Sequence, residues 1–148
     1  MSQQARSVLD LSVQATAAIS YARAVGLAAA TASNALGGAQ ATVAGQKVLG
    51  IARRDAALGA FTELTVLGTA ICEAGAAIAI GARVACDAVG RVVTATVMGI
   101  AAGATAVTSA AANGTTDLVG GDPPQFVFGT ALQAASAAGD FIEVLICP

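Results

Sequence analysis

The fold is decided by the stretch Val48-Leu-Gly-Ile-Ala-Arg-Arg-Asp-Ala-Ala-Leu-Gly-Ala-Phe-Thr-Glu-Leu-Thr-Val66. It returns near the C-terminus as Val127-Phe-Gly-Thr-Ala-Leu-Gln-Ala-Ala-Ser-Ala-Ala-Gly-Asp-Phe-Ile-Glu-Val-Leu145. Each copy contains two apolar residues and a glycine, a short strand, a small-residue turn closed by glycine, and an alternating strand with an outward glutamate. A strand, a short turn and a returning strand predict a β-hairpin. Two such hairpins predict a domain built mainly from β-structure.

The rest of the chain is organised around these two copies. Gly50 aligns with Gly129, Gly59 with Gly139 and Glu63 with Glu143, and the second copy has one more residue in its turn. We predict one domain over residues 1–148, mainly β, with a small barrel-like or sandwich-like fold of hairpins and at most one or two short helices. The polar residues 1–10 predict an N-terminal arm, and the Ala/Gly-rich residues 99–125 predict a long connection.

Additional strands are predicted on either side of the first copy. Residues 11–27 alternate imperfectly and predict a strand pair, although their alanine content leaves a helix as the competitor. Gly37-Gly38 is a turn signal. Residues 82–86 and 91–97 predict a second hairpin, because Asp87–Gly90 between them has aspartate at the first position of a turn and glycine at the last.

The composition points away from chemistry and towards protein contacts. The chain is 56% apolar but only 3% aromatic, 11% of its residues are charged, its net charge is −2, and it has no histidine. So few charges are expected where partners or further copies cover much of the surface. The basic residues are scattered and aromatic residues for base stacking are scarce, which argues against nucleic acid.

No motif for catalysis, a cofactor, a metal or a small-molecule substrate is present. The carboxylates are spread singly, and the glycine pairs lack both the spacing and the lysine of a phosphate-binding loop. Cys72, Cys86 and Cys147 have no metal-ligand spacing and predict reduced, buried side chains.

Two long uncharged runs, 24–46 and 92–116, raise the possibility of a membrane span. Both are interrupted by glycine or polar residues, which argues against a spanning helix. The N-terminus has no signal-peptide pattern, so we expect the chain to stay in the cytoplasm where it is made.

With these features in view, the chain resembles the capsid cement, or head-decoration, proteins of tailed phages. The resemblance is strongest over residues 46–93 and 126–148. The residues that carry it are Val48-Leu-Gly-Ile-Ala, Asp55-Ala-Ala, Gly59, Gly68-Thr-Ala-Ile, Glu73-Ala-Gly-Ala-Ala-Ile, Gly81-Ala-Arg-Val, Asp87, Gly90-Arg, Val127-Phe-Gly-Thr-Ala-Leu, Ala134-Ala-Ser-Ala-Ala-Gly-Asp and Glu143-Val-Leu-Ile.

The resemblance implies a small β-rich virion protein on the outer surface of the head. Such a protein binds the major capsid protein, bridges neighbouring subunits, stabilises the mature shell, and associates with itself as a homotrimer or, alternatively, a homodimer. It implies no catalytic residue and no cofactor. Charged residues of the arm and of the first turn are the candidate capsid or subunit contacts: Arg6, Asp10, Arg53, Arg54 and Asp55. The alternative reading is a main shell or helical coat subunit made of Ala-rich helices.

Overall fold

The computed structural model describes residues 5–30, 32, 34–96 and 125–147. Within these ranges the chain forms strands and no helix, which confirms the mainly β prediction. No helix that could cross a membrane occurs in this part of the chain. In chain order the strands are β1 (Ser7–Ala15), β2 (Ala24–Ala28), β3 (Gly37–Gln40), β4 (Gly50–Ala52), β5 (Phe61–Glu73), β6 (Arg83–Cys86), β7 (Val92–Thr94), β8 (Gly129–Ala131) and β9 (Phe141–Ile146).

The described strands form one sheet that closes on itself twice. Its order is β1-β3-β2-β4-β5-β9-β8-β6-β7, and β1 also pairs with β5. This extra pairing closes β1 to β4 and the first half of β5 into a ring, which we call the first barrel. The second half of β5, from Gly68 onwards, pairs with β9. With β6, β7 and β8 it forms the second barrel, closed by a bridge between Ala74 and Val92.

The two barrels have the same topology. Each strand of the first barrel has an equivalent in the second. Strand β1 corresponds to the second half of β5, β2 to β6, β3 to β7, β4 to β8, and the first half of β5 to β9. Equivalent strands pair with equivalent neighbours. The loops agree as well. Ile19 and Ala56 exchange two backbone hydrogen bonds of 2.9 and 2.8 Å, and Ile78 and Ala135 exchange two of 3.0 Å. The chain is therefore an internal duplication, larger than the hairpin repeat that the sequence predicted.

Each barrel encloses its own apolar core, built from equivalent residues. Burying a Val, Leu or Ile side chain contributes about 1.5–3 kcal/mol, and the many alanines contribute less. Ala24, Ala41 and Ile51 of the first barrel also pack into the core cluster of the second barrel, so the two cores meet. The equivalent buried pairs are Val13 and Cys72, Ala15 and Ala74, Ile19 and Ile78, Val25 and Val84, Ala52 and Ala131, Ala56 and Ala135, and Leu64 and Val144.

All three predicted hairpins between neighbouring strands are confirmed. The strands β4 and β5 are antiparallel, as are β8 and β9 and also β6 and β7. Gly59 and Gly139 close the turns of the two sequence copies with φ angles of +82° and +92°. Because this left-handed conformation is unstrained only for glycine, the glycine spacing was a reliable signal.

Three other predictions are corrected. Ser7–Asp10 is not part of an irregular arm, because these residues begin β1 and pair with β5. The predicted pair within residues 11–27 is wrong, since β1 pairs with β3 and β5 while β2 pairs with β3 and β4. Gly37-Gly38 begins β3 instead of forming a turn. A Cβ at Gly37 would overlap the carbonyl oxygen of Ala28, so this glycine permits a close strand approach.

Two predicted regions fall outside the described residues, the first in part and the second almost entirely. Of the predicted arm, residues 1–4 are not described; of the predicted connection 99–125, only Gln125 is described. The alternative of an Ala-rich helical coat subunit is not supported, because the alanine-rich segments that the structure describes form strands and the loops between them.

Candidate functional site

Two of the predicted contact residues meet on the outside of the first barrel. Arg53 Nη1 lies 2.7 Å from Asp10 Oδ2, and Thr65 Oγ1 donates to Asp10 Oδ1 at 3.0 Å. Asp10 belongs to β1, Arg53 follows β4, and Thr65 lies on β5 between them. The sequence proposed Asp10 and Arg53 separately, and the β1–β5 pairing makes them one cluster.

The other two charges of the first turn are also engaged. Asp55 Oδ1 accepts the backbone N–H of Tyr21 at 2.7 Å, so it holds the adjacent loop in place. Arg54 Nη2 lies 3.5 Å from Glu63 Oε1, and the side chains of this pair are 61% and 49% exposed. At such exposure an ion pair contributes little to stability, so Arg54 can exchange its partner at low cost.

The fifth candidate, Arg6, lies away from this turn, near the middle of β5. Its backbone N–H donates to Thr69 Oγ1 at 2.8 Å, and its carbonyl accepts the N–H of Thr69 at 2.8 Å. The residue is exposed. A hollow of about 170 Å³ lies between Arg6 and the turn. It is lined by Ala5, which precedes Arg6, by Arg53 of the turn, and by Ile71.

The equivalent turn of the second barrel lacks this charge cluster. Its only acid, Asp140, binds its own turn: Oδ2 accepts from the hydroxyl and the N–H of Ser136 at 2.8 and 2.7 Å and from the N–H of Ala137 at 3.0 Å. The Ser136 hydroxyl, followed by these backbone groups, lowers the pKa of Asp140 below its ordinary value. The remaining exposed side chains of this turn and of the adjoining loop 75–82 are uncharged.

An apolar groove of about 150 Å³ runs between the barrels on the side away from the turns. One wall carries Val48 and Leu49, and the other carries Val127 and Phe128. These two segments occupy equivalent positions before β4 and β8, so the groove follows from the duplication.

The three cysteines are free thiols. Cys72 and Cys86 are buried as predicted, and burial raises the pKa of both. Cys147 is exposed, which corrects the prediction for that residue, because it follows the last strand and faces outward. Among the described residues no group of acids and cysteines has the arrangement of a metal site.

The sequence analysis missed the joint between the barrels. There the ring of Tyr21 stacks on Phe141 with centroids 6.0 Å apart, and Arg23 Nη2 lies 2.7 Å from Glu73 Oε2. A usable signal was the repeat of Ala-x-Ala-Ala-Ile at residues 15–19 and 74–78, which marks equivalent loops.

The chain is similar to a known protein family. The model of a family described as phage cement protein matches residues 2–121. The match includes the N-terminal region before Gln46 and ends before the second hairpin copy. Among curated proteins there is no match.

The fold also resembles that of a solved structure, the head fiber gp8.5 N base in bacteriophage phi29. The TM-score is 0.63 at 16% sequence identity, and the alignment covers 94% of this chain and 93% of that chain. At this identity the likeness is one of fold, and its coverage includes both barrels.

Proposed function

The chain belongs to the phage cement protein family, and from that premise we propose that it binds the outer surface of a phage head, joins neighbouring major capsid subunits and stabilises the mature shell. The family match over residues 2–121 is the observation that carries the proposal. The fold likeness to a head fiber base agrees with it. Family membership by itself shows only that this is a structural protein of the phage head.

The architecture suits a protein that acts through contacts. Two closed barrels that share one strand leave few free strand edges and give a stiff block. A stiff block loses little conformational entropy on binding, so modest contacts suffice. When one molecule or oligomer touches two capsid subunits, the second contact forms at high effective concentration and release becomes slow. The shell is stabilised to the extent that the protein binds its mature form more tightly than other forms.

The proposed capsid contacts are the charged residues on and beside the first hairpin turn. Arg54 is the strongest candidate because it is exposed and its partner Glu63 is distant enough to be exchanged. Arg53, Asp10 and Asp55 hold the turn in shape through the contacts described above, and we assign them mainly to positioning. Arg6 supplies a second positive charge beyond the hollow.

The proposal includes synthesis in the host cytoplasm and self-association of the protein, with a homotrimer favoured over a homodimer. Low surface charge supports self-association, because few charges need to lose water when copies meet.

Adding the purified protein to heads that lack it tests the proposal. We expect saturable binding and a higher temperature at which the heads release their DNA. Heads that bind no protein, or that bind it without becoming more resistant to heat, would contradict the proposal.

A matched pair of variants tests the contact surface in the same assay. We expect Arg54→Glu to weaken binding by a factor of about 1.4 to 5 per contact, because an exposed ion pair contributes about 0.2–1 kcal/mol. Arg83→Glu changes an exposed arginine of the second barrel and is expected to leave binding unchanged. Equal effects of the two variants would remove Arg54 from the proposed contact.

A further inference from the structure

The joint between the barrels shows which surfaces of this fold fit one another. The first barrel contributes what we call surface A, formed by Tyr21 and Arg23. The second contributes surface B, formed by Glu73 and Phe141. Tyr21 stacks on Phe141, and Arg23 pairs with Glu73. Backbone bonds support the joint: the N–H of Glu73 donates to Ala22 O at 3.1 Å.

Because the chain is duplicated, each barrel has both surfaces, and the joint uses only one from each. Surface A of the second barrel consists of Ile80 and Ala82, which are equivalent to Tyr21 and Arg23. Surface B of the first barrel consists of Gln14 and Phe61, which are equivalent to Glu73 and Phe141. The described residues of the same molecule contain no second joint that would cover this pair.

The unused surfaces are matched in hydrophobicity and charge. Ile80 is 71% exposed and Phe61 is 58% exposed, compared with 42% for Tyr21 and 45% for Phe141, so the counterparts of the stacked rings are two large apolar side chains that are more exposed to water. The counterparts of the ion pair are Ala82 and Gln14, and both are neutral. Bringing the two surfaces together would therefore bury apolar area without leaving an unpaired charge, which is the costly case.

We propose that surface A of the second barrel in one copy docks on surface B of the first barrel in another copy, repeating between molecules the joint that exists within each. The contact places Ile80 against Phe61 of the second copy. It joins different patches on the two copies, so it is head-to-tail, and such contacts close into rings when the rotation allows. The proposal rests on the self-association in the proposed function and names its surface.

One difference sets the expected strength of this contact. In the joint within the chain, Ala22–Ala24 lies between Glu73 and Gly90 and bonds to both, with Ala24 N–H donating to Gly90 O at 2.7 Å. In the first barrel Gln14 and Leu36 occupy the positions equivalent to Glu73 and Gly90. No gap is left between them for a segment of a second copy, because Gln14 N–H donates directly to Leu36 O at 2.7 Å. The contact between copies is therefore made by side chains and is weaker than the joint within the chain.

Sedimentation of the full chain over a range of concentrations tests the proposal. We expect the unchanged protein to self-associate, and Ile80→Asp and Phe61→Asp each to weaken association at least about tenfold, as expected for central interface residues. The matched control is Val43→Asp, since Val43 is 61% exposed and lies outside both surfaces. A protein that stays monomeric at every concentration, or variants that associate as well as the control, would overturn the proposal.

Mixing the two variants distinguishes a head-to-tail contact from a two-fold one. An Ile80→Asp copy keeps Phe61, and a Phe61→Asp copy keeps Ile80, so the equimolar mixture should form a heterodimer with one intact contact. A mixture that stays monomeric overturns the head-to-tail geometry. Thermal melting of each variant verifies folding, which is expected because both sites are exposed. The assay contains no capsid, so its outcome is independent of shell binding.

Discussion

At the scale of single residues, glycine has two different roles in this fold: it permits close strand packing, and it adopts positive φ angles in turns. Gly50 and Gly129 hold equivalent positions at the starts of β4 and β8, where a Cβ would run into the backbone of the neighbouring strand. At Gly50 that Cβ would lie 2.6 Å from the carbonyl oxygen of Thr65. At Gly59 and Gly139 the space is open, and it is the positive φ that favours glycine.

Alanine substitutions separate the two roles. We expect Gly50→Ala to lower the free energy of unfolding by about 2–3 kcal/mol, since backbone cannot move aside as a side chain can. Gly59→Ala should cost only about 1 kcal/mol, from the left-handed conformation alone. Chemical denaturation measures both, and a Gly50→Ala variant that is no less stable than Gly59→Ala would contradict the close packing of β4 on β5.

At the scale of the element, β9 shows how one strand serves both the core and the surface. Ile142, Val144 and Ile146 are buried, while Phe141 and Leu145 are exposed on the opposite face. In the first barrel the position of Ile142 is taken by Thr62, whose hydroxyl is satisfied by the carbonyl oxygen of Arg54 at 3.3 Å. A polar side chain is tolerated inside these barrels only when it has such a partner.

A pair of aspartate substitutions tests this alternation. Ile142→Asp should abolish cooperative folding, because burying an unpaired carboxylate costs several kcal/mol and the total stability of a domain is about 5–15 kcal/mol. Leu145→Asp, three residues along and 40% exposed, should fold normally. Circular dichroism and solubility report the result, and a folded Ile142→Asp variant would mean that β9 has another register.

At the scale of the whole molecule, we expect the two barrels to unfold as one cooperative unit. Strand β5 runs through both, pairing with β1 and β4 in its first half and with β9 in its second. The core cluster of the second barrel also includes Ile51 from the first. Neither barrel can lose its strands without opening the other, so separate unfolding is disfavoured.

Calorimetry of a core variant tests that coupling. Leu64→Ala removes a fully buried side chain from the first barrel and should lower the free energy of unfolding by about 3 kcal/mol. We expect one transition, with the hydrogen-exchange protection of the Val144 amide in the second barrel falling by the same amount. Two transitions, or unchanged protection at Val144, would show that the barrels unfold independently.

The candidate site could be predicted only in part. The sequence identified Asp10 and Arg53 as separate charges, but their contact depends on β1 lying beside β5, a pairing between segments more than forty residues apart. The joint residues Tyr21, Arg23 and Glu73 were missed for the same reason. Nothing in the local pattern around Arg23 indicates that its partner lies in another half of the chain.

By itself the sequence determined the mainly β class, the hairpins β4–β5, β6–β7 and β8–β9, and the glycines that close two of them. These features depend on residues close together in the chain, because the alternation of apolar and polar residues and the residue types that turns require can be read within each segment. Only the tertiary structure decided that β1 pairs with β3 and β5, that the sheet closes into two barrels, and that the barrels repeat one topology. Those choices arise from burial of small side chains contributed by distant segments, and such burial has no signature within any one of them.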